Sequence, residues 1–529
     1  MNIKNKFLFL IVSLVLAAHI TSCGTKTESS FDTLILRLDA DPSTLDPALG
    51  TDVASGMIDS LLFSTLIRFD ENLKLSGDIA YSWRLSEDKT TYTFSLKNNI
   101  RFSNNRALMA KDVKYSFERV LNPKTRSPRA WLFRNISGAE DYNRGKASEV
   151  EGIKIMNNYE LSITLDKPFS PFLSFLTMPA ASVVPEEEII KWGLDFSEHP
   201  VGSGPWKLSR WTRDYKVVLE NNPYYYGTKP ALEKLVFKIL KEPLTILTEF
   251  ELKHLDVMEP SAADILQYLD DQKLKARLLS RSGLNVYYLG LNCRIQPLNN
   301  PKVRLAIAHA IDAVSILKTI RRGRGTLAHG PIPPGLEGHD ANLQPHKYDP
   351  SFSKKLLEEA GFPDGINLTL LQSRSEANLE ATEVFQAQLA KGNIHVQIIQ
   401  QEWSAFKANL IEGNFDTFYL SWWADYPDGE NFLYPLFHSS NKGSGGNYTG
   451  YSNSEVDKLI EEIQLTPSGD KRTRIMYKVQ NILHKEIPIV FLWNKTKDLV
   501  IQPDVHGMSL PALYTGQRYT TVYKKDTDK

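Results

Sequence analysis

Ser421-Trp422-Trp423-Ala424-Asp425-Tyr426-Pro427-Asp428-Gly429-Glu430-Asn431-Phe432 sets a carboxylate among large aromatic rings. Residues 415–420 ahead of it read as a strand and Pro427-Asp428-Gly429 behind it as a turn, which predicts Asp425 at a strand's edge beside Trp422, Trp423 and Tyr426. A carboxylate walled by flat rings suits a cationic, partly apolar ligand. The same residues allow a second reading. Asp425 would close an Asx-turn and the two Trp would be core, because Asx-turns are common before Pro-Gly segments and Trp is usually mostly buried.

Outward from this stretch, the 529-residue chain is 42% hydrophobic, enough for more than one core and for two or three domains. Lys+Arg and Asp+Glu are equal at 62 each, so no basic field exists to draw nucleic acid. At the start, Lys4 and Lys6 precede an apolar run over residues 7–18. That run is shorter than the roughly 20 residues a helix needs to cross a bilayer, and behind a positive segment it reads as a secretory signal. Ile20-Thr21-Ser22-Cys23-Gly24 then resembles a bacterial lipobox, which predicts removal of residues 1–22, lipidation of Cys23 and a polar tether over 23–30. Cys293 is the one other cysteine, expected to be a small buried hydrophobe, so a lipidated chain has no internal disulfide.

The rest alternates helices and strands, which predicts an α/β architecture. Strands are expected near residues 31–38, 92–96, 235–240, 366–371 and 489–493, with a hairpin around Asn157-Asn158 and a strand pair around Trp211 and 217–219. Helices are expected over 57–66, 110–120, 301–320, 351–360 with Gly361 past its end, and from a capping box at Ser454 and Asp457. A last long helix carries Ile475, Met476, Val479, Ile482 and Leu483 and stops before Pro488. Dense prolines from Pro168 to Pro200 mark a change of domain.

Evidence for catalysis is missing. Gly202-Ser203-Gly204 lacks phosphate-loop spacing and precedes a strand rather than a helix, so no helix N-terminus would hold an anion. The eleven histidines show no metal-ligand spacing, no nucleophile elbow occurs, and His309 fits a satisfied, partly buried residue. Arg321-Arg322-Gly323-Arg324 most simply complements the dipole of the helix before it.

Taken together, Asp41-Pro42-Ser43-Thr44-Leu45-Asp46-Pro47, Ala80-Tyr81-Ser82-Trp83, Ala110-Lys111-Asp112-Val113, the stretch from Pro200 to Trp206, Asn300-Pro301-Lys302-Val303-Arg304, Tyr348-Asp349-Pro350 and Trp423-Ala424-Asp425-Tyr426-Pro427 are more specific than any one of them. In that order they resemble the extracytoplasmic solute-binding proteins of ABC importers, family 5, the peptide/nickel/opine class. The resemblance implies a two-lobed periplasmic-binding-protein fold (type II, cluster C) with an extra domain on lobe I. Lobe I would comprise 31–73, 181–284 and 487–529, the extra domain 74–180 and lobe II 285–486.

It also implies a non-enzyme that captures extended peptides and delivers them to an ABC permease and ATPase complex. The protein would be exported, lipid-anchored, monomeric and without metal or cofactor. A cell-wall peptide, opine, oligosaccharide or nickel chelate is the alternative cargo. Asp425 would anchor the ligand's α-ammonium. Trp403, Trp422, Trp423 and Tyr426 would wall the pocket, with Asn447 beside them, and the loop carrying Val53 would pair with the peptide backbone. Arg374 would receive the ligand's carboxylate. Tyr419 stands where other oligopeptide binders carry an Arg, which leaves ligand length open.

Overall fold

The computed structural model describes residues 31–525, so the signal, Cys23 and the tether lie outside the described residues. The chain forms two lobes with an extra domain on the first.

Lobe I holds a four-stranded sheet in the order Thr33–Leu38, Lys234–Ile239, Lys216–Asn221, Trp206–Thr212, the first pair parallel and the others antiparallel. Its helix Val53–Leu62 starts at Asp52, whose side chain accepts the Ser55 N–H at 2.8 Å. That cap places the helix four residues earlier than the apolar run suggests, because a capped N-terminus outweighs hydrophobicity in setting a start. The Gly-Ser-Gly stretch faces the end of this helix. A Cβ on Gly202 or Gly204 would fall inside van der Waals contact with the Leu62 or Leu61 carbonyl, and Gly204 N–H bonds Leu62 O at 2.9 Å. Its glycines serve close packing rather than phosphate.

The extra domain is an antiparallel sheet, Ala80–Leu85, Thr91–Leu96, Glu160–Thr164, Ile153–Asn157, covered by the helix Ala110–Leu121. Phe117 on that helix stacks on Phe133 with ring centres 4.3 Å apart.

The largest sheet is organised by the strand Ile489–Ile501, which runs farther than the buried stretch 489–493 predicts. Its first part pairs with Asn285–Leu291 and Gly325–Leu327; its last part pairs with Leu278–Ser282 and Val257–Met258. Beyond Asn285–Leu291 the sheet continues through Thr417–Trp423, Ile366–Ser373 and Ile394–Gln401. The chain crosses between the two regions at residues 282–285, beside the long strand. There Asn285 donates to Lys495 O at 2.9 Å and accepts from Lys495 N at 2.7 Å, while Asn494 donates to Asn285 O at 2.6 Å.

Three local expectations are corrected. The helix expected over 301–320 is two, Pro301–His309 and Ala313–Thr319, because Asp312 starts a new one: its carboxylate accepts Ser315 N–H at 2.9 Å while its own N–H goes to Gln388 at 2.8 Å. Helix Ser454–Leu465 is capped by Asn453, and Asp457 instead accepts from Ser439 N at 2.9 Å. The basic run does more than meet a helix dipole: Arg324 pairs with the buried Asp498, and Arg321 lies over the Tyr287 and Trp493 rings at 5.4 Å.

Candidate functional site

Asp425 follows the strand Thr417–Trp423, which pairs along its whole length with Asn285–Leu291, Trp423 opposite Asn285. The expected strand 415–420 is thus shifted toward the tryptophans, so that Trp422 and Trp423 fall on its opposite faces. Ala424 N–H closes the end on Leu284 O at 2.9 Å, and Asp425 N–H donates to Asn431 Oδ1 at 3.0 Å. Asn431 is 2% exposed and also accepts from Trp422 Nε1 at 3.4 Å, so it fixes ring and carboxylate together. Sequence reasoning missed this residue. An Asn six positions after an Asp gives no signal until the chain folds back.

Tyr426 is buried rather than presented at a surface, a correction to its expected role as pocket wall. It is 2% exposed within the hydrophobic core of the extra domain, edge-on to Phe175 at 5.2 Å, and its hydroxyl donates to Glu430 at 2.5 Å. Gln464 donates to the other oxygen of Glu430 at 2.6 Å, and Ser170 N–H reaches Gln464 O at 2.7 Å. This network joins the region after the Thr417–Trp423 strand to the extra domain. Burial and the charge of Asp428 push the Glu430 carboxyl up to about 7.

On the opposite side lies the loop ahead of the Val53–Leu62 helix. Arg129 Nε donates to Gly50 O at 3.3 Å and Nη2 to Thr51 O at 3.2 Å. Val53 is 56% exposed at the helix start. Gly56 gives the Tyr514 ring room, since a Cβ there would stand 2.9 Å from Tyr514 Cε2. These parts meet electrostatically. Burial raises the Asp425 pKa, with Arg129 and the Asn431 hydrogen bond opposing. Burial, then Asp425, raises that of Tyr514, which also feels Arg129, Asp59 and Asp52. Asp59 is 1% exposed, neither oxygen has a hydrogen-bond partner, and burial raises its pKa well above the ordinary value. Tyr514, Arg129 and Asp59 were not singled out from sequence, because an isolated Tyr, Arg or Asp carries no local pattern.

The remaining expected residues are placed as follows. Trp403 is 56% exposed at a helix start, its ring 5.8 Å from Phe406. Trp422 is half-buried and Trp423 is 39% exposed. Arg374 stands at the surface and pairs with Glu402 at 3.2 Å, the two side chains 69% and 71% exposed. Asn447 is 1% exposed and holds its own loop: Nδ2 donates to His438 O at 3.2 Å and Tyr451 O at 2.9 Å, and Oδ1 accepts from Thr449 at 3.1 Å. Its amide is engaged there rather than offered to a ligand.

A cavity of about 360 Å³ lies elsewhere in lobe II, lined by Ile311, Leu327, His329, His346, His484 and Phe491. Among the described residues no group of three or more His, Cys, Asp or Glu is placed to hold a metal ion, and no helix is long and apolar enough to cross a membrane.

The family model for bacterial extracellular solute-binding proteins, family 5 middle, matches residues 74–444. The chain belongs to that family. Its members and relatives are substrate-binding transport proteins, not enzymes. The dipeptide-binding protein of Escherichia coli is 28% identical over 528 residues, 95% of this chain and 96% of the relative. Heme-binding protein A of Haemophilus influenzae is 27% identical, with 96% of each chain covered. Among solved structures, the periplasmic binding protein DppA of Helicobacter pylori in complex with the peptide STSA superposes with a TM-score of 0.82 at 28% identity. That match covers 93% of this chain and 98% of the other.

Proposed function

We propose that the protein captures an extended peptide between its lobes, holds the peptide's α-ammonium on Asp425, and presents the closed form to an ABC import permease. The observation that carries this reading is the place of Asp425: it follows the end of the Thr417–Trp423 strand beside the partly exposed Trp422 and Trp423, its N–H is held by Asn431 at 3.0 Å, and burial pushes its carboxyl above the ordinary range with Arg129 opposing. A carboxylate so withdrawn from water gains by meeting a cation, since an ion removed from water costs several kcal/mol unless paired. Trp403, Trp422 and Trp423 supply flat, shape-tolerant walls, and main-chain groups near Val53 supply sequence-independent pairing. Hinge closure is the established motion of periplasmic binding proteins. The turning points lie at residues 282–285 and within Ile489–Ile501, with lobe I as 31–73, 181–284 and 487–529, the extra domain as 74–180 and lobe II as 285–486. The mature chain is exported to the periplasm or the outer face of the cell membrane, anchored there through lipid on Cys23, and acts as a monomer.

A second reading keeps the scaffold and changes the cargo, favoured by the relative whose name specifies heme. Titration calorimetry with di- to pentapeptides, free and N-acetylated, on wild type and Asp425→Ala tests the anchor. The reading expects acetylation and the substitution each to weaken binding strongly. Tight binding of N-blocked peptides that ignores Asp425→Ala overturns it. Mass spectrometry of whatever co-purifies with the protein separates peptide from other cargo, and loss of palmitate label in Cys23→Ser tests the lipid.

A further inference from the structure

We propose that the cavity of about 360 Å³ beside the start of the Ile489–Ile501 strand is a second ligand site, separate from the surroundings of Asp425, and that it takes a small, neutral, flat aromatic molecule bearing an N–H donor, a fused-ring heterocycle of the size of indole.

The cavity exists because a strand leaves a sheet edge early. Gly325–Leu327 pairs with residues 493–495 of the long strand, and Ala328 N–H reaches Leu492 O at 3.2 Å. Pro331, Pro333 and Pro334 follow closely, and proline cannot donate to a ladder, so the chain turns off the edge there. Among the described residues no strand pairs with the outer edge of 489–491, whose inner edge is taken by Asn285–Leu291. Space opens between that edge, the segment 345–348 and the last turn of the Asp470–Glu486 helix. Val314 lines it and is 61% exposed, so it reaches the surface. None of its lining residues is one expected to hold a peptide. Native interiors carry few voids larger than a water molecule, whereas pockets for small ligands begin near about 300 Å³.

The lining states the ligand's chemistry. Ile311, Leu327, Leu483, Ile489 and Phe491 are apolar. His346 and His484 present flat rings, stacked 4.1 Å apart and 5° from parallel. The segment carrying His346 is strapped down by two imidazoles: His309 Nδ1 donates to Lys347 O at 2.7 Å and His346 Nε2 to His484 O at 3.2 Å. A neutral imidazole that donates through one nitrogen accepts at the other, so His346 Nδ1 is an acceptor. Burial, with His484 and His309 close by, keeps that ring neutral by pushing its pKa down to about 4, and burial lowers that of His484. His329 lines the same space; its Nδ1 is buried and, among the described residues, has no hydrogen-bond partner. A buried polar atom left unpaired is costly, and a ligand N–H would meet it. Asp312 and Lys347 line the cavity with opposite charges, which favours a ligand with no net charge. Strapping the segment needs only His309 and His346; it accounts for neither the open volume nor the unpaired nitrogen of His329.

The test is titration calorimetry with indole and with 1-methylindole, which keeps the rings and loses the donor. The proteins are wild type, Leu327→Trp, Val314→Trp, His329→Phe and the double variant Trp403→Ala/Trp423→Ala, each checked for an unchanged melting temperature. Wild type is expected to bind indole about fivefold or more tighter than 1-methylindole, the size of one neutral hydrogen bond. Leu327→Trp fills the cavity and should weaken both probes about tenfold or more; Val314→Trp, at an exposed position, should weaken both without touching the core. His329→Phe should bind both and erase the preference, which a merely loosened loop would not do. The double variant should bind both as wild type does. The inference falls if wild type binds neither probe at millimolar concentration, if it binds both equally, if both filling variants bind like wild type, or if His329→Phe keeps the preference. Loss of binding in the double variant would place the probes on the exposed tryptophans and overturn it too. No titration contains a peptide, so the outcome is separate from the reading of Asp425.

Discussion

Arg518→Met removes one charge from a buried knot and leaves the other behind. Asp78 is 2% exposed; Arg518 Nη2 reaches its Oδ2 at 2.6 Å and Nη1 its Oδ1 at 3.2 Å, while Tyr226 donates to Oδ1 at 2.5 Å. Met retains most of the stem and none of the charge, so Asp78 would keep little more than the tyrosine hydroxyl. Stranding one member of a buried ion pair costs about 3–5 kcal/mol, whereas replacing both members by uncharged groups costs far less. The expected loss in urea unfolding, read on the first transition of a chain with several domains, is therefore about 3–5 kcal/mol for Arg518→Met. The double variant Asp78→Asn/Arg518→Met should recover a clear part of it.

Acid titration supplies an independent reading. Burial alone would raise the Asp78 pKa, but the charge and hydrogen bond of Arg518 outweigh it and hold the carboxyl below its ordinary range. A depressed carboxyl contributes stability above its unfolded pKa and loses it as pH falls below about 4. Arg518→Met should flatten that acid limb. Because Tyr514 lies four residues upstream of Arg518 on the same segment, peptide affinity should fall as well. A loss under about 1 kcal/mol with an unchanged acid limb would refute the argument.

Three further outcomes are expected. Glu430 titrates near 7 when folded because it is buried beside Asp428; its raised pKa means the folded form holds a proton that the unfolded form releases, so stability should fall as pH rises from about 4.5 to 7, by on the order of 1–3 kcal/mol, and Glu430→Gln should remove that slope in melts across the range. Gly204→Ala, which drives a methyl into the Leu61 carbonyl, should lower the melting temperature by at least several degrees and shift the Val53–Leu62 helix, visible as weaker peptide binding. Burial pushes the Cys293 thiol up to about 11, so maleimide labelling at pH 7.5 should be far slower than for an exposed thiol and speed up only on unfolding.

The sequence made the strands and most helices legible because their signals are local. Alternation marked the Glu160–Thr164 strand, proline marked the start of Pro301–His309, and glycine at Gly361, with a φ of +91°, marked the end of Pro350–Glu359. Where competing caps were involved, local reading failed, as at Asp52, Asp312 and Asn453. The aromatic stretch around Asp425 stood out as a candidate because of its composition. Its partners were not, since Asn431, Arg129 and Tyr514 reach it through tertiary contacts. Tyr426 and Asn447 show the reverse: residues that look like pocket lining from sequence are engaged structurally, Tyr426 in the core of the extra domain and Asn447 within its own loop.

Residues 282–285 and the middle of Ile489–Ile501, proposed above as the crossings between the lobes, run side by side and are stitched together by Asn285, Asn494 and Lys495. A single connecting thread would let the halves slide, twist and swing. A stitched pair behaves like a door on two pins, where sliding or twisting must break the amide stitches and swinging need not. The outline that the shut molecule shows to its surroundings is then dictated by the pins, so cargoes of different composition would all yield the same outer face.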